Sequence, residues 1–335
     1  MCDDPQDLHA EREGEDPARD ATTGAWFMLT QYGSHSSYGT GTAANRARAL
    51  ASFHEHYNVR FHDPLYIVSD ALPPPDARPP YPYVRLHRLA PWTVPAHVAG
   101  NLSSWAYPNK FSVGYRHMIR FFAIEIWALA RALGLRWVAR LDDDSRILSR
   151  VPFHVFTFMR RHGVAYAYRN VALETPWWGE RWHTFLRQFE STNATWILDQ
   201  CPRATRATFT LQNCGNFFGF YNNFFVADAR RFLRPDIQRF LRAVDDSGYM
   251  YTRRWNDLSI QSAAVQLYVP RGQVHRFVSF SYYHNQNPHV LGYGIAQSGV
   301  RDPRPISALV PWRDPVRVVH GMQTISFYKD GFGVC

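Results

Sequence analysis

Apolar residues in this chain come in short blocks between polar or proline-rich stretches, and the period of each block predicts its element. The run AWFMLT at 25–30 is continuous, apolar and of strand length. A polar Gly/Ser/Tyr stretch follows (31–42), then a pattern that predicts a helix over about 43–57. LYIV at 65–68 predicts a second buried strand, which completes a strand–helix–strand unit of the kind that builds parallel sheets. Beyond the proline-rich LPPPDARPP at 72–80, YVRL at 83–86 predicts another short strand. Ile119, Phe122, Ala123, Ile126, Ala130 and Leu133 recur at i, i+3, i+4 and i+7, so 115–133 reads as a helix that stops at Gly134. RWVARL at 136–141 predicts a strand, 152–161 a helix and VAYAY at 164–168 a further strand. This alternation argues for an α/β fold with a mostly parallel central sheet flanked by helices.

The second half is less regular. Residues 174–216 carry Trp177, Trp178, Trp182 and Trp196 among polar residues. A helical pattern over 229–244 contains Pro235, which suits a helix start. WNDLSIQSAAVQL at 255–267 predicts a helix with Asn256 or Asp257 at its N-terminus, and HRFVSFSYYH at 275–284 predicts one strand ending in a histidine.

Composition narrows the class. The 335 residues are 46 % apolar and 16 % aromatic, which fits a globular protein. No run approaches the ~18 apolar residues of a membrane span, and the acidic start is unlike a signal peptide, so no address is visible. The net charge of +9 hides a division: residues 1–20 hold eight acids and two arginines, which leaves the rest at +15. That charge is dispersed and almost all arginine (Lys110 and Lys329 are the only lysines), without the basic stripe that nucleic acid requires. Residues 1–22 read as a disordered acidic segment and 23–335 as one domain with two halves, about 23–170 and about 171–335. Cys201 and Cys214 would close a loop if the compartment is oxidising, which the sequence leaves open, and Asn101 and Asn193 match the glycosylation triplet, a pattern that also occurs often by chance.

The strongest chemical signal is the Asp142-Asp143-Asp144 run directly after a predicted strand. In parallel α/β sheets ligands bind beyond the carboxyl ends of the strands. Two carboxylates one residue apart there suit a hard divalent ion, Mn²⁺ or Mg²⁺, that shares its other positions with diphosphate oxygens. A solvated turn is the competing explanation. GTGT at 39–42 imitates a dinucleotide fingerprint, but too many polar residues separate it from its strand. His284, Asp257, Tyr115, Arg116 and Arg120 are further polar candidates, each with a plain structural alternative.

Together these segments resemble the fungal-type α-1,2-mannosyltransferases (Kre2/Mnt1-like, glycosyltransferase family 15). The likeness rests on ordered blocks: FHEHYNVRFHDPLYIVSD at 53–70, GYRHMIRFF at 114–122, ARLDDD at 139–144, NNFFVAD at 222–228, RWNDLS at 254–259 and SYYH at 281–284. The resemblance implies a GT-A-type nucleotide-diphospho-sugar transferase fold, with a donor-binding half over about 23–170 and an acceptor half over about 171–335. It also implies Mn²⁺ as cofactor, GDP-mannose as donor, a glycan or glycoprotein acceptor and retention of anomeric configuration. It places Asp142, Asp144 and His284 on the metal, and Arg116, Arg140, Asp142 and Asp144 at the diphosphate. Asp257 and Tyr115 fall near the reaction centre. Phe225 stands where the family carries a glutamate, so either another acid, Asp257, takes over or the donor leaves by a front-face route without an enzyme nucleophile. A catalytically silent nucleotide-sugar or glycan-binding protein, or a transferase for another nucleotide sugar, is the alternative.

Overall fold

The computed structural model describes residues 23–30, 43–98, 111–174, 182–189 and 217–284, apart from 74, 76, 77 and 278, together with a few isolated positions and the backbone of two strands within 316–327. The expectations for 1–22, 39–42, Asn101, Asn193, Cys201, Cys214, Trp177, Trp178 and Trp196 lie outside the described residues.

The first strand–helix–strand unit forms as its pattern predicts. Strand β1 (Gly24–Leu29) leads to helix α1 (Ala43–Phe53), which continues through a π-helical turn at His54–Asn58, and then to β2 (Leu65–Ser69) and β3 (Val84–Arg88). Helix α2 (Val113–Arg120) runs through a second π-helical turn, Phe121–Glu125, into α3 (Ile126–Ala132) and delivers the chain to β4 (Trp137–Leu141). Next come β5 (Ser145–Ile147), α4 (Val155–Arg161), β6 (Tyr166–Glu174), α5 (Trp182–Arg187) and β7 (Phe217–Asp228). Helices α6 (Ala229–Phe232), α7 (Pro235–Asp246), α8 (Tyr249–Thr252) and α9 (Asp257–Tyr268) precede β8 (Val274–Arg276) and β9 (Tyr282–His284). Strands β10 (Val316–His320) and β11 (Gln323–Phe327) form an antiparallel pair.

Seven strands make the central sheet in the order β3-β2-β1-β4-β7-β6-β8. All neighbours are parallel except β7, which runs antiparallel to both β4 and β6. Burial on both faces explains the continuous apolar reading of β1: Ala25 and Phe27 enter the core under α2, α3 and α9, while Trp26 and Met28 enter the one under α1 and α4.

Two features depart from the sequence expectation. Strand β7 was not anticipated, because Gly219 and the Asn222–Asn223 pair interrupt its alternation. The single strand expected over 275–284 divides: β8 joins the central sheet, while β9 leaves it to pair with β5. Helix α9 is buried on every side from Asp257 to Leu267. Gly219 permits its close approach, since a Cβ there would lie 2.4 Å from Leu258 Cδ2. Ser262 Oγ uses that proximity to accept from the Phe220 amide at 2.8 Å.

Candidate active site

Strand β4 leaves the core at Leu141, and the Ser145 amide closes the following turn on the Asp142 carbonyl at 3.0 Å. Pairing of β5 with β9 sets Ser145 opposite His284, so the register of a three-residue ladder carries the histidine to the aspartates. Tyr282 fixes that ladder to the sheet, with its hydroxyl 2.5 Å from Ser145 Oγ and 3.0 Å from the Asn223 carbonyl oxygen, to which it donates.

His284 Nε2 stands 3.1 Å from Asp144 Oδ1 and 3.4 Å from Asp142 Oδ2, and one ligand atom from each of the three residues lies within 4.8 Å of the others. Adjacent ligands on one small octahedral ion at ~2.1 Å sit about 3 Å apart, so this set is of a size to close around a divalent cation. Two carboxylates with one imidazole suit Mn²⁺, and the side chains keep 12–18 % exposure, enough for a ligand to reach them. Tyr221, on β7, holds the far side of the imidazole: its hydroxyl is 3.0 Å from His284 Nδ1. With Nδ1–H donating to that oxygen, Nε2 is the nitrogen left for a metal. Burial opposes charge on His284, but the Tyr221 oxygen and the two carboxylates outweigh it and raise the group well above its ordinary value. A metal there has to displace that proton.

The three aspartates separate by direction. Asp143 turns away from His284 and accepts from Thr30 Oγ1 at 2.7 Å, and Thr30 in turn accepts from Arg46 at 3.1 Å. Burial, with Asp144 and Asp142 beside it, pushes the Asp143 carboxyl up to about 6. Burial would raise Asp142 too, yet Arg140 and His284 hold it below the usual carboxylate range.

Arg140 sits beneath this cluster, 3 % exposed. Its Nε and one terminal nitrogen clamp Asp142 at 2.6 and 3.0 Å, and the other terminal nitrogen reaches Asp257 Oδ2 at 2.5 Å. Its guanidinium also lies 3.6 Å above the Phe122 ring. A guanidinium so engaged orients carboxylates; it does not present itself to a diphosphate, as its sequence position suggested. Asp257 opens α9 just after the Asn256 cap, whose side chain accepts from the Ser259 amide at 2.9 Å. Asn222 donates to Asp257 Oδ2 at 3.0 Å and to Gln261 at 3.3 Å, which ties the acid into the sheet.

The remaining candidates lie on α2. Arg116 is 1 % exposed and donates to the Phe111 and Tyr251 carbonyls, which makes it a brace for the chain around α2 and α8 and takes it away from the expected diphosphate contact. The Tyr115 hydroxyl accepts from Arg254 at 2.8 Å. Arg254 has φ +57°, a left-handed conformation that costs a non-glycine residue ~1 kcal/mol, and its guanidinium stacks 3.7 Å from the Phe111 ring. Trp182 is buried against Trp255. Phe225 faces Arg140 across the β4–β7 ladder, fully buried with Tyr166 and Trp127, so the position is an apolar floor under the arginine. Nothing in the sequence pattern singles out Tyr221, Asn222 or Thr30; Tyr221 belongs to an aromatic run that reads as core.

A profile of the glycolipid 2-alpha-mannosyltransferase family matches residues 96–291, more than half of the chain. The chain belongs to this family. Among curated family relatives, a probable mannosyltransferase of Candida albicans is 23 % identical over 203 residues, covering 58 % of this chain and 51 % of the relative. The glycolipid 2-alpha-mannosyltransferase of Saccharomyces cerevisiae is 23 % identical over 179 residues, covering 52 % and 39 % respectively. The chain thus spans about half or less of the length of these relatives. Core-mannan synthase A of Aspergillus fumigatus, solved with Mn and GDP, superposes with a TM-score of 0.65 at 16 % identity, covering 81 % of this chain and 77 % of that one. The mannosyltransferase Ktr4p of S. cerevisiae in complex with GDP gives 0.63 at 17 %, covering 83 % and 79 %. The family fold, an α/β arrangement of GT-A type, is therefore this chain's fold. Among the described residues no helix is long and apolar enough to cross a membrane.

Proposed function

We propose that the chain is a manganese-dependent glycosyltransferase that moves mannose from GDP-mannose to a hydroxyl of a glycan or glycoprotein acceptor. The observation that supports this most is the meeting of Asp142, Asp144 and His284 beyond the end of β4, in a fold of this family. These three would hold Mn²⁺, which when bound would neutralise the leaving diphosphate. Arg140 keeps Asp142 and Asp257 at fixed positions, and Asn222 steadies Asp257 from the strand side. Asp257 is the acid assigned to the anomeric centre, where it favours the positive charge that develops as the bond to the diphosphate breaks. Tyr115, whose hydroxyl accepts from Arg254, is assigned to that side of the site. With Phe225 in place of a carboxylate, a front-face route suits the site. The acceptor oxygen bonds to the anomeric carbon on the face the diphosphate leaves, and its proton passes to the departing phosphate oxygen.

Purified protein incubated with a panel of nucleoside diphospho-sugars tests the reading. Manganese-dependent release of GDP from GDP-mannose, lost in Asp144→Ala, is the expected result. Release from a different donor would retain the chemistry and discard mannose. The buried Phe225 favours one further reading, a nucleotide-sugar-binding protein without turnover. Tight donor binding with no release from any donor would establish that reading and overturn ours.

A further inference from the structure

At the pole of the sheet opposite the Asp142–His284 cluster lies an open cleft of about 520 Å³, whose lining includes Arg136, Arg230, Arg231, Arg234 and Asp228 beside apolar residues such as Trp137 and Met159. It lies where β4 begins and β7 ends, so β4 separates it from the metal-ligand cluster. Asp228 receives Arg136 and Arg230, both at 3.2 Å, and Arg234 pairs with Asp236 at 2.9 Å. Arg231 donates to the neutral Gln273 Oε1 at 2.6 Å and makes no ion pair among the described residues. Among the described residues four guanidiniums therefore meet two carboxylates. The Arg230 and Arg234 side chains are also 62 % and 52 % exposed, so positive charge remains available to an anionic ligand.

The sequence supplies such a ligand beside the cleft. The Thr23 carbonyl accepts from the amides of Arg136 and Trp137 at 2.8 and 3.0 Å, so residues 1–22 join the fold at the rim of the cleft. That segment carries eight acids and two arginines, a charge of −6 against the +15 of the remainder. Asp20 and Asp16 are three and seven residues from Thr23, and at ~3.3 Å per residue both reach the cleft with ease. A tether this short places the acids at an effective concentration in the millimolar range, which compensates for the weakness of individual surface ion pairs.

We propose that the acidic segment 1–22 docks in the Arg136–Arg230–Arg231–Arg234 cleft of its own chain. The occupant is fixed by charge complementarity and by the attachment point. Trypsin provides the test, because Arg12 and Arg19 lie in the segment and proteolysis of a docked segment tracks its undocked population. In the full chain at low salt, cleavage after Arg12 and Arg19 is expected to be about 10-fold slower than in a synthetic peptide of residues 1–22. Salt at ~0.5 M should abolish the difference, since it shortens the screening length to a few ångströms. Arg231→Gln/Arg234→Gln should abolish it at low salt, while Arg85→Gln/Arg88→Gln, on the exposed edge of β3, should leave it intact. Equal cleavage of chain and peptide at low salt would overturn the proposal. So would protection that survives loss of Arg231 and Arg234, or that disappears equally in the β3 variant.

Discussion

Replacing Arg140 by methionine isolates the interaction on which the site geometry depends. The guanidinium joins Asp142 and Asp257, and the side chains in these two pairs are only 4 to 18 % exposed. Methionine fills much of the arginine stem's volume over Phe122 but leaves Asp257 without its cation and Asp142 with His284 alone. Removing one member of a buried ion pair typically costs about 3–5 kcal/mol. The two pairs share one cation, so the losses overlap and the expected total stays at about 3–5 kcal/mol. The assay is urea denaturation at pH 7 with chelator, read as a lower midpoint at unchanged slope. Arg140 depresses the Asp142 carboxyl in the wild type, so its contribution is present at neutral pH and lost as pH falls through the carboxylate range. The gap between wild type and Arg140→Met therefore narrows on acidification. In a double-mutant cycle with Asp257→Asn, a coupling of about 1–3 kcal/mol is expected. A loss below about 1 kcal/mol at pH 7, or a gap that does not change with pH, would refute the reasoning.

Two other substitutions probe groups around the cluster. Tyr221→Phe removes the hydroxyl beside His284 Nδ1 and should weaken Mn²⁺ binding about 10-fold, as measured by titration calorimetry, with little change in fold stability. Asp143, raised to about 6, holds its proton more tightly in the folded than in the unfolded chain, so with chelator present stability declines as pH rises from about 4 to about 6. Asp143→Asn keeps an acceptor for Thr30 and should flatten that decline, raising stability at pH 8 by up to about 3 kcal/mol in chemical denaturation.

Much of the scaffold was legible because its strands are buried on both faces and its helices carry a 3.6-residue period. AWFMLT and LYIV read as β1 and β2 without any tertiary information, and the position of the aspartates beyond β4 followed from the same pattern. The local sequence of β7 mixes glycine and asparagine into an aromatic run, and only pairing with β4 and β6 makes it a strand. The approach of His284 to Asp144 depends on the β5–β9 register, a contact between segments more than a hundred residues apart. Arginines show a different limit. Sequence gives their charge but not their burial, so Arg140 and Arg116 looked like diphosphate ligands, whereas the fold engages one with carboxylates and the other with backbone carbonyls. Tyr221 had no signal at all, since its role exists only once β9 has left the central sheet.

The central claim is that Asp142, Asp144 and His284 hold a divalent ion through which a nucleoside diphosphate binds. Calorimetric titration of GDP into the protein, with Mn²⁺ and with chelator, tests it most directly. The account predicts binding that requires one Mn²⁺ per chain and that disappears in both Asp144→Ala and His284→Ala while the fold persists. GDP binding that is indifferent to chelator, or Mn²⁺ binding that survives both substitutions, would contradict it.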